Sequence, residues 1–147
     1  MSGSEAFSIA AATPGDVPEL TLVAQECGLS VDFPAELRRS YALLRVARWG
    51  ATPVGFLLAW RAADELHLTD LGVRASSRRR GIARVLVSEL RREGELTGAR
   101  VVLLEVRESN QAALALYGAL GFQELDRRRR YYSDTNEDAV VMQLELG

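Results

Sequence analysis

Apolar residues alternate with polar ones in some stretches of this chain and recur every three or four positions in others, and the two periods divide it into strands and helices. Ala6 to Ala12 reads as a short first strand. Thr13-Pro14-Gly15-Asp16 then opens a helix, with Thr13 as its cap and Pro14 at the first helical position, running to about Cys27 and stopping at Gly28. Pro34 to Ser40 predicts a second short helix. Leu44–Trp49, Val54–Trp60 and Glu65–Val73 are three strands of an antiparallel meander, turned at Gly50–Pro53 and Ala62–Asp64. Ile82, Val85, Leu86 and Leu90 return to helical spacing, with Arg91 and Arg92 near the end, where cations suit the helix dipole. Val101-Val102-Leu103-Leu104, inside Arg100–Val106, is the unbroken apolar run of a strand covered on both faces. Asn110–Leu120 is a last helix, stopped by Gly121, and strands Phe122–Tyr131 and Ala139–Leu146 flank a polar loop. The expected fold is α/β: one domain over residues 1–147, with a mixed, mostly antiparallel central sheet of about seven strands and helices on both faces.

Composition narrows the setting. With 48% hydrophobic and 26% charged residues among 147, the chain can bury one core in water. A net charge of −2 gives no global pull toward nucleic acid or an anionic membrane, so neither partner is expected. All 18 basic residues are arginine, whose planar fork suits phosphates where arginines cluster. Cys27, the only cysteine, excludes an intrachain disulfide and lies in an apolar helical stretch as a small core residue; no metal site is expected. Met1 to Ser8 lacks the cationic-then-apolar order of a signal peptide, and no apolar run approaches the roughly 20 residues of a membrane span. A cytoplasmic protein, monomeric or weakly dimeric, is the expectation.

Two segments carry candidate chemistry. Arg78-Arg79-Arg80-Gly81-Ile82-Ala83 joins a strand ending at Val73 to a helix opening near Gly81. Such a junction presents unpaired N–H groups and the positive end of a helix dipole, which suits a diphosphate. A solvated basic turn is the plainer alternative. The second segment is Leu104-Glu105-Val106-Arg107-Glu108-Ser109-Asn110, followed by Leu116-Tyr117 and Gly121-Phe122. A carboxylate on a buried apolar strand is costly unless paired or used, so Glu105 either pairs with Arg107 or takes part in chemistry. Tyr117, nearly two turns beyond Asn110, is otherwise a half-buried core tyrosine. His67 alternates with Leu66 and Leu68 and reads as structural or solvent-facing; Trp49 and Trp60 flank a hairpin and read as packing; Arg127 to Arg130 reads as a half-exposed strand face.

Arg78-x-x-Gly81-x-Ala83 resembles the acetyl-coenzyme A signature of the GNAT superfamily. The Glu105-to-Phe122 segment, with Asp64-Glu65-Leu66, Arg128-Arg129, Tyr131-Tyr132, Glu137-Asp138-Ala139 and Met142, is similar to the RimI group of ribosomal-protein alanine N-acetyltransferases. The likeness runs from about Asp64 to Leu146. The resemblance implies the GNAT fold with acetyl-CoA as co-substrate. Backbone amides from Arg79 through Arg80, Gly81, Ile82, Ala83 and Arg84 would hold the pyrophosphate, and Leu71-Gly72-Val73 would pair with the pantetheine arm. It makes Glu105 the general base, Tyr117 the general acid, Asn110 a coenzyme A contact and Tyr131-Tyr132 the rim over the acceptor. The implied partner is a protein N-terminus, that of a small-subunit ribosomal protein. The early Pro-Trp-Ser element of the group is missing, since Ser30-Val31-Asp32-Phe33-Pro34 has no tryptophan.

The chemistry is consistent with those residue types. An α-amine titrates near 8 and attacks only when neutral, so a carboxylate can take its proton at modest cost. A backbone N–H near Val73 could stabilise the resulting oxyanion, and a tyrosine hydroxyl could protonate the leaving thiolate. A GNAT enzyme for a small amine, or a non-catalytic acetyl-CoA sensor, are the alternatives.

Overall fold

In order, the chain forms β1 (Phe7–Ala11), α1 (Val17–Glu26), α2 (Phe33–Arg38), β2 (Ala42–Trp49), β3 (Thr52–Ala62), β4 (Glu65–Val73), α3 (Ile82–Leu96), β5 (Val101–Arg107), α4 (Gln111–Ala119), β6 (Gln123–Tyr132) and β7 (Glu137–Glu145). The structure is a computed structural model describing residues 7–147, so Ala6, the expected start of β1, and most of the Met1–Ser8 segment lie outside the described residues. The seven strands make one sheet in the order β1-β2-β3-β4-β5-β7-β6. Every neighbouring pair is antiparallel except β4 and β5, which run parallel. The mixed, mostly antiparallel sheet is therefore as expected, and helices cover both faces.

The first helix opens differently from its sequence pattern. Pro14–Asp16 is a turn of 3₁₀ helix, and the α-helix begins only at Val17. Pro18 has no N–H to give the Pro14 carbonyl, so the Val17 N–H takes it at the tighter spacing. Asp16 reaches back to the Thr13 N–H at 2.8 Å.

Two apolar layers lie against the sheet. On one face, Leu86 and Leu90 of α3 pack with Leu57, Leu66, Val102, Leu104 and Val140, and Leu114 and Tyr117 of α4 join them. On the other face, Leu20, Val23 and Phe33 of α1 and α2 pack with Leu44, Val46, Phe56 and Leu58. Phe33 and Phe56 meet edge to face at 5.1 Å, and both are almost wholly buried. Phe56→Ala is expected to cost about 3–5 kcal/mol through the cavity it leaves, read as a lower urea midpoint with an unchanged slope.

Candidate active site

The sheet opens along the one parallel seam. β4 and β5 pair only at Glu65–Val101, Leu66–Val102 and His67–Leu103. On its other side β4 pairs Leu68 with Ala59 and Asp70 with Leu58, so Thr69 is an extra residue, a bulge that twists and bends the strand. Beyond His67 the edge of β4 facing β5 has no strand partner, and a notch opens between the two.

The bulge also decides which face each side chain takes. Past it, Leu71 and Val73 pack in the α3 layer. Gly72 turns to the α1 side, where a Cβ would stand 2.9 Å from Phe56 and 3.3 Å from Cys27 Sγ. Asp70 takes the α1 side too, since its partner Leu58 belongs to that layer and paired residues share a face. On β5, Val102, Leu104 and Val106 lie in the α3 layer, so Glu105 projects to the opposite face, the same as Asp70.

At the far end of β4, residues 75–77 form a 3₁₀ turn, and Arg79 and Gly81 take positive φ values of 64° and 78° before α3 begins. Gly81 is the N-cap, and no side chain caps it, leaving the first N–H groups of α3 free. Of the arginines here, Arg78 folds back, its Nε donating to the Val73 carbonyl at 3.0 Å. Arg80 stacks over the exposed Trp49 ring at 5.0 Å and lines no cleft described here. A cleft of about 250 Å³ runs over Arg79, Gly81, Ile82, Ala83 and Arg84. It shares Val73, Arg78, Ala83 and Leu116 with a second, apolar cleft of about 340 Å³ that reaches Leu71 and Tyr117. Together they form one track from the loop to the notch.

Tyr117 stands at the inner end of that track, half-buried and edge-on to Phe122 at 5.5 Å. Burial, and after it the negative charge of Asp70, push its hydroxyl up to about 12. Above pH 10 the unfolded chain would ionise this phenol while the folded chain keeps its proton, so stability falls as pH rises from 10 towards 12. Tyr117→Phe is expected to lose less stability over that window than the unmodified chain, in thermal unfolding at pH 9 and 11.

A third cleft, about 450 Å³, opens on the opposite face of the sheet over Trp60, His67, Thr69, Glu105, Arg128, Tyr131 and Tyr132. Glu105 pairs with Arg128 at 2.8 Å rather than with Arg107. Arg107 instead bonds Asp134 at 2.9 Å and stacks over Tyr132 at 4.0 Å. Trp60 Nε1 donates to the buried Glu36 carboxylate at 2.8 Å, which fixes the ring in the wall. Burial raises the Asp70 carboxyl above its ordinary value against the opposing hydrogen bond of the Thr69 side chain, and the nearby charge of Glu36 adds to the rise.

The structure thus brings Tyr131, Tyr132 and Glu105 into one cleft, and Leu71, Val73, Arg78, Gly81, Ile82, Ala83 and Tyr117 into the other track. Asn110 lies outside both, its side chain capping α4 through the Ala113 N–H at 3.1 Å. Trp60 packs against the α1 layer and the His67 side chain is partly open to solvent, as their sequence pattern suggests, and both also wall the Glu105 cleft. Thr69 and Arg128, which line the Glu105 cleft, were not singled out as site residues. A Thr-Asp pair in a strand otherwise rich in leucine was the available signal for a bulge. Among the described residues no helix is long and apolar enough to cross a membrane.

Comparison with known proteins fits this geometry. The sequence is 41% identical over 94 residues to the ribosomal protein bS18-alanine N-acetyltransferase of Escherichia coli (strain K12), covering 63% of this chain and 64% of that protein. It is 40% identical over 105 residues to the N-alpha-acetyltransferase RimI of Mycobacterium tuberculosis, covering 69% of this chain and 65% of that protein. The chain thus spans just under two thirds of the length of these curated relatives. The crystal structure of the ribosomal-protein-S18-alanine N-acetyltransferase from Escherichia coli superimposes with a TM-score of 0.86 at 30% identity, over 96% of this chain and 94% of that one. The sequence model of the acetyltransferase (GNAT) family matches residues 14–122, most of the sequence. This chain belongs to the acetyltransferase (GNAT) family.

Proposed function

We propose that this chain transfers the acetyl group of acetyl-CoA to the α-amine of a protein N-terminus, with the N-terminal alanine of a small-subunit ribosomal protein as the acceptor. The observation that carries the reading is that Tyr117 and Glu105 line clefts on opposite faces of the sheet, on either side of the β4–β5 notch. A thioester and an amine entering from opposite faces would meet there.

The residues on the first side fit acetyl-CoA. The uncapped amides of α3 after Gly81 suit a pyrophosphate, and the unpaired edge of β4 suits the amide-bearing pantetheine arm. Bound acetyl-CoA supplies an activated acyl group. On the other side Glu105 takes the proton of the acceptor ammonium, directly or through a water, and Tyr131 and Tyr132 wall the chain that follows. Tyr117, with a hydroxyl near 12, keeps its proton at neutral pH and donates a hydrogen bond where the leaving sulfur would sit. The names of the relatives support the N-terminal acceptor.

The test is mass-spectrometric. The protein and acetyl-CoA are given a peptide with a free N-terminal alanine, and a second one blocked at its α-amine but carrying an internal lysine. Acetylation of the free α-amine alone is expected. Transfer to neither peptide, with acetyl-CoA still bound, would move the acceptor to a small amine.

A further inference from the structure

We propose that Asp70 is a second carboxylate of the acceptor site, holding the incoming α-ammonium at the β4–β5 notch while Glu105 takes its proton. The inference rests on the N-terminal acetylation reading above. Asp70 follows the bulge residue Thr69, which lines the Glu105 cleft, and precedes Leu71, which lines the Tyr117 track. It is therefore the residue of β4 that lies between the two clefts. The parallel register carried on from His67–Leu103 sets Thr69 level with Glu105, and the bulge turns Asp70 to the face that Glu105 shares. Two carboxylates thus flank the notch from opposite strands.

The electrostatic setting agrees. Asp70 is half-buried, yet among the described residues no arginine or histidine forms an ion pair with it. By contrast Asp16, Asp64 and Asp134 each pair with an arginine. Its charged neighbour from α2 is Glu36, itself paired with Arg39 at 3.4 Å, and the charge of Asp70 is felt at the Tyr117 hydroxyl of α4. A half-buried carboxylate beside another carboxylate is stabilised by an arriving cation, and the acceptor ammonium is the cation this site receives. Arg128, the arginine in the cleft, is already held by Glu105.

Asp70→Asn keeps the shape and removes the charge. The expected result is a KM for the Ala-starting peptide raised about tenfold, the size of one lost charged hydrogen bond, with kcat changed less than about threefold and the KM for acetyl-CoA unchanged. A competing peptide with a hydroxyl in place of the α-amine should inhibit wild type and Asp70→Asn equally, since it offers Asp70 no cation. An unchanged peptide KM in an active variant overturns the proposal. So does an equal loss towards the hydroxyl peptide or acetyl-CoA, which would make Asp70 a structural residue. If the wild-type protein itself fails to acetylate a free N-terminus, the N-terminal reading falls and Asp70 falls with it. If wild type is active and the variant is indistinguishable, only the Asp70 assignment fails.

Discussion

Glu105→Gln is expected to lower kcat/KM for a peptide acceptor by about 100- to 1,000-fold at pH 7, within the range of a lost general base. The amide keeps the shape of the side chain but cannot take a proton. The loss should shrink as pH climbs past 8, where the α-amine is increasingly neutral without help. Affinity for acetyl-CoA should hold, because Glu105 faces the opposite side of the sheet from the loop-to-Tyr117 track. A pH–rate profile from 6 to 9 with the binding constant for acetyl-CoA checks both halves. A uniform loss at every pH would indicate that Glu105 only orients Arg128 or the wall around it.

The second large effect is expected at the phosphate loop. Gly81 has φ of +78°, and a Cβ there would meet nothing within 4 Å, so the cost of a side chain is conformational and not steric. A β-branched residue is an outlier in that region, and left-handed backbone costs about 1–2 kcal/mol per residue. Gly81→Val should relieve that strain by moving the loop, taking the first amides of α3 away from the pyrophosphate. A loss of about 10- to 100-fold in acetyl-CoA affinity is expected, the value of one or two charge-assisted hydrogen bonds. The thermal midpoint of the unliganded protein should move only a few degrees. Calorimetric titration with acetyl-CoA reads the effect, and unchanged affinity would refute the loop as the phosphate site.

Much of the architecture was legible because it rests on local periodicity. The β2–β3–β4 meander, the arginine–glycine turn and the amphipathic α3 are all short-range patterns, and the structure places them within a few residues of expectation. What was hidden depends on long-range pairing. Nothing in the last two strands announces that β7 slides between β5 and β6, so the partner of Glu105 could not be read. Arg107 was the obvious candidate, sharing its strand and face. Yet Asp134 and the Tyr132 ring hold Arg107, and β6 brings Arg128 across instead. That Trp60 and His67 also border the Glu105 cleft was hidden for the same reason. Each looks ordinary along its own strand, and only the hairpin and the bulge at Thr69 carry them to the notch.

The position of β7 also bears on the order in which the molecule can be built. Val101 pairs with Glu145 and Glu105 with Val141, so the strand carrying Glu105 is locked on one side by a strand that follows it in the chain only after α4 and β6. On its other side it has only the three parallel rungs to β4. Loops of this length close late, and parallel pairing is the slower kind. A nascent chain can complete the β1–β4 meander well before that, but its Glu105 strand remains without its antiparallel neighbour. The notch therefore takes its final form only when residues 137–145 have paired with β5, so competence for chemistry waits on that long-range strand pairing.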